Sequence, residues 1–168
     1  AQCLVGSEMC IRDRHQYESE LSEERPTLCA NPAVDALAGH YDHEAHSLGV
    51  PVDWRLELPR QLAIPEADFC MMLGNLLENA FHASQKLPPE QRQVKVMARM
   101  LSPAMLGLLV ENRYDGVLKR QQGTLHSTKH DGMGIGLVSI QTAVSRYGGS
   151  MTVETENCLF RVNILLNL

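Results

Sequence analysis

Two asparagines four residues apart, Asn75 and Asn79, are the first residues here whose type and spacing suit chemistry. In the run Met72-Leu73-Gly74-Asn75-Leu76-Leu77-Glu78-Asn79-Ala80 a helix sets them one turn apart on a single stripe. Leu73, Leu76, Leu77 and Ala80 supply an apolar side. Asparagine is a poor helix-interior residue because its carboxamide competes for backbone hydrogen bonds, so the pair needs polar partners or solvent. A solvated face meets that need. So does a hard cation, because carboxamide oxygen suits Mg2+, an oxygen-seeking ion that keeps several of its waters. Glu78 lies about 100° round the helix from Asn79 and is free to point elsewhere.

A second candidate is Gly132-Met133-Gly134-Ile135-Gly136-Leu137, where three alternate glycines precede a helical pattern. Without side chains, backbone N–H groups approach an anion closely, and the helix start behind them adds positive partial charge. A phosphate fits that environment; a merely flexible turn fits the same residues. The spacing is not the dinucleotide fingerprint, and no G-x-x-x-x-G-K-[ST] loop occurs. A third candidate is the strand end Leu108-Leu109-Val110-Glu111-Asn112, with Asp115-Gly116 just beyond. A buried polar side chain there suits reading the donor edge of a base, and a turn nucleated by Asn112 or Asp115 is the plainer alternative.

The elements that must position these residues follow from periodicity and punctuation. Asn31-Pro32 is an N-cap followed by proline at the first helical position. Val34, Leu37, Ala38, Tyr41, Ala45 and Leu48 then recur at helical spacing up to Gly49. Val52, Trp54, Leu56 and Leu58 alternate with charged residues as a half-buried strand, with Trp54 as a core anchor. Pro65 opens a long helix to about Lys86, closed by Leu87-Pro88-Pro89, in which Cys70, Met71 and Met72 are packing residues. Two strands follow, through Val94 to Met100 and from Met105 to Val110. The polar stretch from Asn112 to Asp131 is too long for a simple connection. A helix from about Ile135 to Tyr147 ends at Gly148-Gly149. A closing hairpin has its turn at Glu156-Asn157. The order α-β-α-β-β-loop-α-β-β predicts an α+β two-layer sandwich, a mixed sheet with helices on one face.

Composition bounds the function. The chain of 168 residues has 15 basic against 20 acidic side chains and a formal net charge of −5, which argues against a surface built to neutralise nucleic-acid phosphates. No run of about 18 apolar residues exists to span a bilayer. Five scattered cysteines without a C-x-x-C pair give neither a disulfide framework nor a zinc knuckle, and a cytoplasmic setting is the expectation. His40, His43 and His46 fall within an arc of about 120° on one helix, a geometry that suits a metal but more simply a polar face. His82, one turn after Asn79, is a candidate to face a ligand, against a plain helix-surface histidine.

Taken in order, the Asn-x-x-x-Asn helix, the strand ending Glu111-Asn112, the polar loop, the G-x-G-x-G-Leu turn and the following helix closely resemble the ATP-binding domain of the Bergerat fold. That domain is shared by histidine kinases, gyrase-type ATPases, Hsp90 and mismatch-repair ATPases. Asn75 to Ala80 resembles its N box and Gly132 to Gly136 its second glycine box. The segments Val144-Ser145-Arg146-Tyr147-Gly148-Gly149 and Phe160 to Ile164 resemble histidine kinases in particular, and Glu111-Asn112-Arg113-Tyr114-Asp115-Gly116 their quorum- and peptide-sensing branch.

The resemblance covers about residues 29–168 and implies ATP and Mg2+ as ligands. It makes Asn79 the metal ligand, Asn75 a phosphate- or metal-side partner with a catalytic role, and Asn112 the adenine reader. Gly132, Gly134, Ile135, Gly136 and Leu137 become the phosphate turn, and Lys129 a phosphate cation in a lid. Asn112 departs from the usual aspartate, and Met133 stands where relatives often carry histidine. The implied function is the catalytic domain of a two-component sensor histidine kinase, passing the γ-phosphoryl to a histidine on an upstream helix and then to a response regulator. The alternatives are a nucleotide-binding docking module without transfer, and a gyrase- or Hsp90-like ATPase. The ATPase is disfavoured because Asn75 stands where those enzymes present a glutamate base.

Residues 1–14 lack any structural period, resemble a translated sequencing-adapter segment, and are read as a non-native leader. Residues 15–28 are read as the end of an upstream helical linker or dimerisation region, with Tyr17 to Arg25 helix-compatible and His15 the one histidine there. The phosphoacceptor is therefore expected on a missing upstream helix, in a parent protein anchored to a membrane that this piece does not touch.

Overall fold

A computed structural model describes residues 26–117, 120–121, 124–125 and 135–168. The elements are α1 (Pro32–Leu48), β1 (Val52–Glu57), α2 (Glu66–Ser84), a 3-10 turn (Pro89–Gln91), β2 (Val94–Ser102) and β3 (Met105–Arg113). After these come a two-residue ladder of β4 (Arg120–Gln121) with β5 (Thr124–Leu125), then α3 (Ile135–Arg146), β6 (Ser150–Glu156) and β7 (Leu159–Asn167). The main sheet runs β1-β2-β3-β7-β6. Only β1 and β2 pair in parallel, with α2 as the crossover between them, and every other pair in it is antiparallel. The mixed sheet with helices on one face is the architecture that the element order predicts.

Alternation decides which face of the sheet is covered. Val94, Val96 and Ala98 of β2, Leu106, Leu108 and Val110 of β3, and Val162, Ile164 and Leu166 of β7 are all buried. Register aligns them into rows such as Val96–Val110–Val162 and Ala98–Leu108–Ile164. The helices close this layer with Phe69, Met72, Leu73 and Leu77 of α2 and Ile140, Ala143 and Val144 of α3. On the opposite face Arg161 bridges Glu111 and Glu154 across three strands, and Leu101 and Leu165 stay exposed.

Local chemistry sets the helix ends. Asn31, fully buried, caps α1 by accepting from the Val34 N–H at 3.0 Å. Its amide group donates to the Arg60 carbonyl at 3.1 Å and to Glu66 Oε1 at 2.8 Å, which joins the start of α1 to the start of α2. Gly49 closes α1 in the left-handed region, φ +61, where glycine pays no Cβ penalty. Arg92 donates to the carbonyls of Leu48, Leu87 and Gln85, gathering the ends of α1 and α2. Trp54 is a half-buried anchor on the edge strand, its indole N–H donating to Asp42 at 2.8 Å.

Two expectations shift. The long helix stops at Ser84 rather than about Lys86, because Leu87 and the two prolines leave no room for another turn. The hairpin turn falls on Asn157 and Cys158, φ +51 and +59, and Glu156 stays in the strand opposite Leu159. Positive φ at both central positions is the type I′ pattern of a two-residue turn, and asparagine tolerates the first. The expected helix at Tyr17 to Arg25 and the leader at 1–14 lie outside the described residues.

Two substitutions test this packing. Ser84 is fully buried and its hydroxyl has no hydrogen-bond partner among the described residues, so Ser84→Ala raises stability by about 1 kcal/mol. A Cβ at Gly149 would lie 2.2 Å from the Leu165 carbonyl oxygen, so Gly149→Ala costs about 1–3 kcal/mol. Urea melts of the two variants beside the parent chain should move in opposite directions.

Candidate functional site

Helix α2 divides its circumference among three neighbours. Leu73, Leu76, Leu77 and Ala80 enter the core. A second side faces α1. Gly74 lets the Tyr41 ring come close, since a Cβ there would sit 3.3 Å from the Tyr41 hydroxyl oxygen. That hydroxyl donates to Glu78 Oε1 across a long 3.4 Å. Glu78 is thereby turned toward α1 and away from the asparagine stripe.

The third side carries Asn75 and Asn79 and faces α3. A Cβ on Gly136 would lie 3.3 Å from Asn75 Oδ1 and 3.5 Å from Asn79 Nδ2. The structure therefore brings Asn75, Asn79 and Gly136 together at one point, where a larger residue would press on both carboxamides. Asn75 is half-buried and its amide donates to the Met71 carbonyl at 2.9 Å, which leaves Oδ1 toward Gly136. Asn79 is exposed. Leu137 packs half-buried against the core, anchoring the helix start. Ile135 is the first helical residue. Lys129, Gly132, Gly134 and Met133 lie outside the described residues, as does most of the expected lid.

Asn112 occupies the helix-covered face at the end of the central strand, only 4% exposed. Its register neighbours are Val94 and Phe160. The amide group donates to the Arg113 carbonyl at 2.9 Å, so this bond fixes the side chain without joining it to the Asn75–Asn79–Gly136 group. Buried Tyr114 and half-buried Phe160 stack edge-on beside it with centroids 6.2 Å apart. With the amide group donating to Arg113, Oδ1 is the acceptor atom of this side chain, which suits an amino group on a base.

Other candidates take the plainer role. His40, His43 and His46 are exposed, with His46 hydrogen-bonded to the Asp42 carbonyl, and no metal-competent cluster of His, Cys, Asp or Glu exists among the described residues. Cys70 and Met71 are partly buried and Met72 fully buried, as packing residues are expected to be. His82 is half-buried on α2.

Sequence reasoning missed one cluster. Asp68, in the first turn of α2, accepts from Arg146 Nη1 at 3.0 Å and from the Tyr147 hydroxyl. Arg146 and Tyr147 stood out only as family-like tail residues, and 78 positions separate Asp68 from Arg146. No local pattern signals such a pair.

The structure thus combines a mixed sheet covered on one face by helices with paired carboxamides that face Gly136 in the first turn of α3. Residues 65–167 match the model of the GHKL domain, and the chain belongs to that family of ATP-binding domains. Solved structures of similar fold include the mycobacterial sensor histidine kinase MprB, at TM-score 0.59 and 18% identity, covering 80% of this chain and 93% of that one. The nucleotide-free catalytic domain of the histidine kinase ThkA matches at TM-score 0.62 and 11% identity, covering 80% and 89%. Full-length ShkA in complex with AMPPNP matches at TM-score 0.58 and 18% identity, covering 80% of this chain and 29% of that one. The search of curated proteins finds no match. The chain thus has the fold of histidine kinase catalytic domains, and among the described residues no helix is long and apolar enough to cross a membrane.

The Tyr41 contact carries a pH signature. Burial, followed by the nearby charges of Glu78 and Glu44, pushes the Tyr41 hydroxyl up to about 12. A raised value means that the fold favours the neutral phenol. That stabilisation is complete below the ordinary value near 10 and disappears as pH rises through about 12. Tyr41→Phe has no phenol to ionise, so its stability should fall less than the parent's between pH 10 and pH 12 in denaturant melts.

Proposed function

We propose that this chain is the catalytic and ATP-binding domain of a two-component sensor histidine kinase. It transfers the γ-phosphoryl of ATP to a histidine on a helix outside residues 29–168. The observation that supports the proposal is the meeting of Asn75, Asn79 and Gly136, which sets the Asn75 Oδ1 and the Asn79 carboxamide beside the start of α3. Asn79, exposed and on this stripe, would hold Mg2+ through its carboxamide oxygen, a donor that fits the ion's preference. Bound there, the ion supplies charge neutralisation for the triphosphate.

The chain's own residues do the rest. Asn112 accepts from the adenine amino group through Oδ1. Gly132, Gly134 and Gly136 let backbone N–H groups reach the phosphates, with the start of α3 adding positive partial charge and Lys129 a cation. In the transfer, the bond between the γ-phosphorus and its bridging oxygen breaks, ADP leaves, and a phosphorus–nitrogen bond forms on the histidine. Such transfer depends on alignment and charge more than on covalent help from the protein. Asn75 supports it by orientation alone, for a carboxamide takes no proton from water, and that chemistry favours transfer over hydrolysis. The aspartate of a response regulator is the next acceptor. The neutral Asn112 favours the quorum- and peptide-sensing branch, and the parent protein is proposed to be membrane-anchored.

Asn79→Ala should abolish Mg-dependent binding of an ATP analogue in calorimetry while leaving the melt unchanged, since the residue is exposed. Gly136→Val should also weaken that binding, by filling the space beside the carboxamides. With a histidine-bearing helix supplied in trans, the parent chain should label it from γ-labelled ATP. Binding without transfer to any supplied helix would leave a docking module, and steady release of inorganic phosphate would make the domain an ATPase.

A further inference from the structure

Asp68, Asn75 and Asn79 lie along one stripe of α2, because separations of seven and four residues are close to whole turns. Opposite them runs α3, antiparallel, with Gly136 against the two asparagines and Arg146 at the Asp68 end. The helix pair is therefore tied at both ends. Between the ends the contact is apolar, through buried Met72 of α2 and Ile140 and Ala143 of α3. Apolar packing has no preferred direction and tolerates small axial slides, whereas hydrogen bonds to one carboxylate do not. The other tether of α3 leads to the sheet instead: Asn167 donates to the Gly148 carbonyl, and Gly149 lies under Leu165.

We infer that Asp68 is a positioning residue for the nucleotide site. By holding Arg146 and Tyr147 it sets how far α3 slides along α2, and so where Gly136, in the first turn of α3, sits beside Asn75 and Asn79. The contact point lies roughly 10–16 Å along α2 from Asp68, so no direct touch of nucleotide is involved. The inference rests on the nucleotide-site reading above. Its consequence is selective. A slide of α3 disturbs the triphosphate end of the site and leaves the base end at Asn112, which is carried by the sheet. The Arg146 side chain is 61% exposed, so the ion pair adds little to stability and its loss leaves the domain folded.

The test compares the full chain with Asp68→Ala, Asp68→Asn and Tyr147→Phe, each confirmed folded by its melt, in calorimetric titrations with Mg-AMPPNP and with adenosine. Asp68→Ala should weaken Mg-AMPPNP roughly tenfold and leave adenosine unchanged. Asp68→Asn, which keeps an acceptor, should recover most of the loss, and Tyr147→Phe should show a smaller loss of the same selectivity. Unchanged Mg-AMPPNP affinity in Asp68→Ala, or parallel loss of both ligands, overturns the positioning role while the site reading stands. If Asp68→Ala does not fold, Tyr147→Phe decides by the same criterion. If the parent chain binds neither ligand, the site reading fails and the positioning role fails with it.

Discussion

The close approach of Gly136 to Asn75 and Asn79 is the constraint on which the arrangement of α2 and α3 depends. Two polar side chains on a helix that also supplies much of the core must find polar company or solvent. Here they lie beside Gly136 of a second helix, where a Cβ would already sit 3.3 Å from Asn75 Oδ1, so the missing side chain leaves the carboxamides their room. The same helix meets its neighbour α1 through a second missing side chain, at Gly74, where the Tyr41 hydroxyl settles against the backbone. Both glycines exchange helix propensity for proximity, an exchange that isolated helices do not make. The result is a helix with one apolar side, one side locked to α1 and one side offering carboxamides.

The sheet places its polar residues by the same economy. Along β3 the inward positions are Leu106, Leu108, Val110 and then Asn112, so a polar residue occupies the last place in a buried row. Its amide is satisfied by the adjacent Arg113 carbonyl, and this avoids the cost of an unpaired donor while directing the oxygen elsewhere. Outward positions carry the charges, with Arg161 between Glu111 and Glu154. The covered face thus ends in a buried carboxamide, and the open face holds ion pairs that solvent screens.

Much of the fold was legible because its elements obey simple periods. The alternation at Val94 to Met100, the cap at Asn31-Pro32 and the stop at Gly49 each reflect a local rule, and the structure follows them. The hairpin turn was displaced by one residue because Glu156-Asn157 and Asn157-Cys158 both contain the asparagine, and strand pairing chose between them. At the site, Asn75, Asn79 and Gly136 were legible through their order and spacing. The partners of that group were not. Tyr41 turning Glu78 aside, and Asp68 receiving Arg146 and Tyr147, join residues far apart in sequence whose types are ordinary on any helix surface.

The sequence by itself determined which segments become helix or strand, which faces are apolar, and where the paired asparagines and alternate glycines fall. Those properties depend on neighbours within a few positions, where backbone geometry dictates what can align. Only the tertiary structure decided that α3 lies antiparallel to α2 with a glycine at the carboxamides and a carboxylate latch at the other end. The sum of many weak, non-directional apolar contacts sets how the helices lie together, and a linear pattern does not encode that sum.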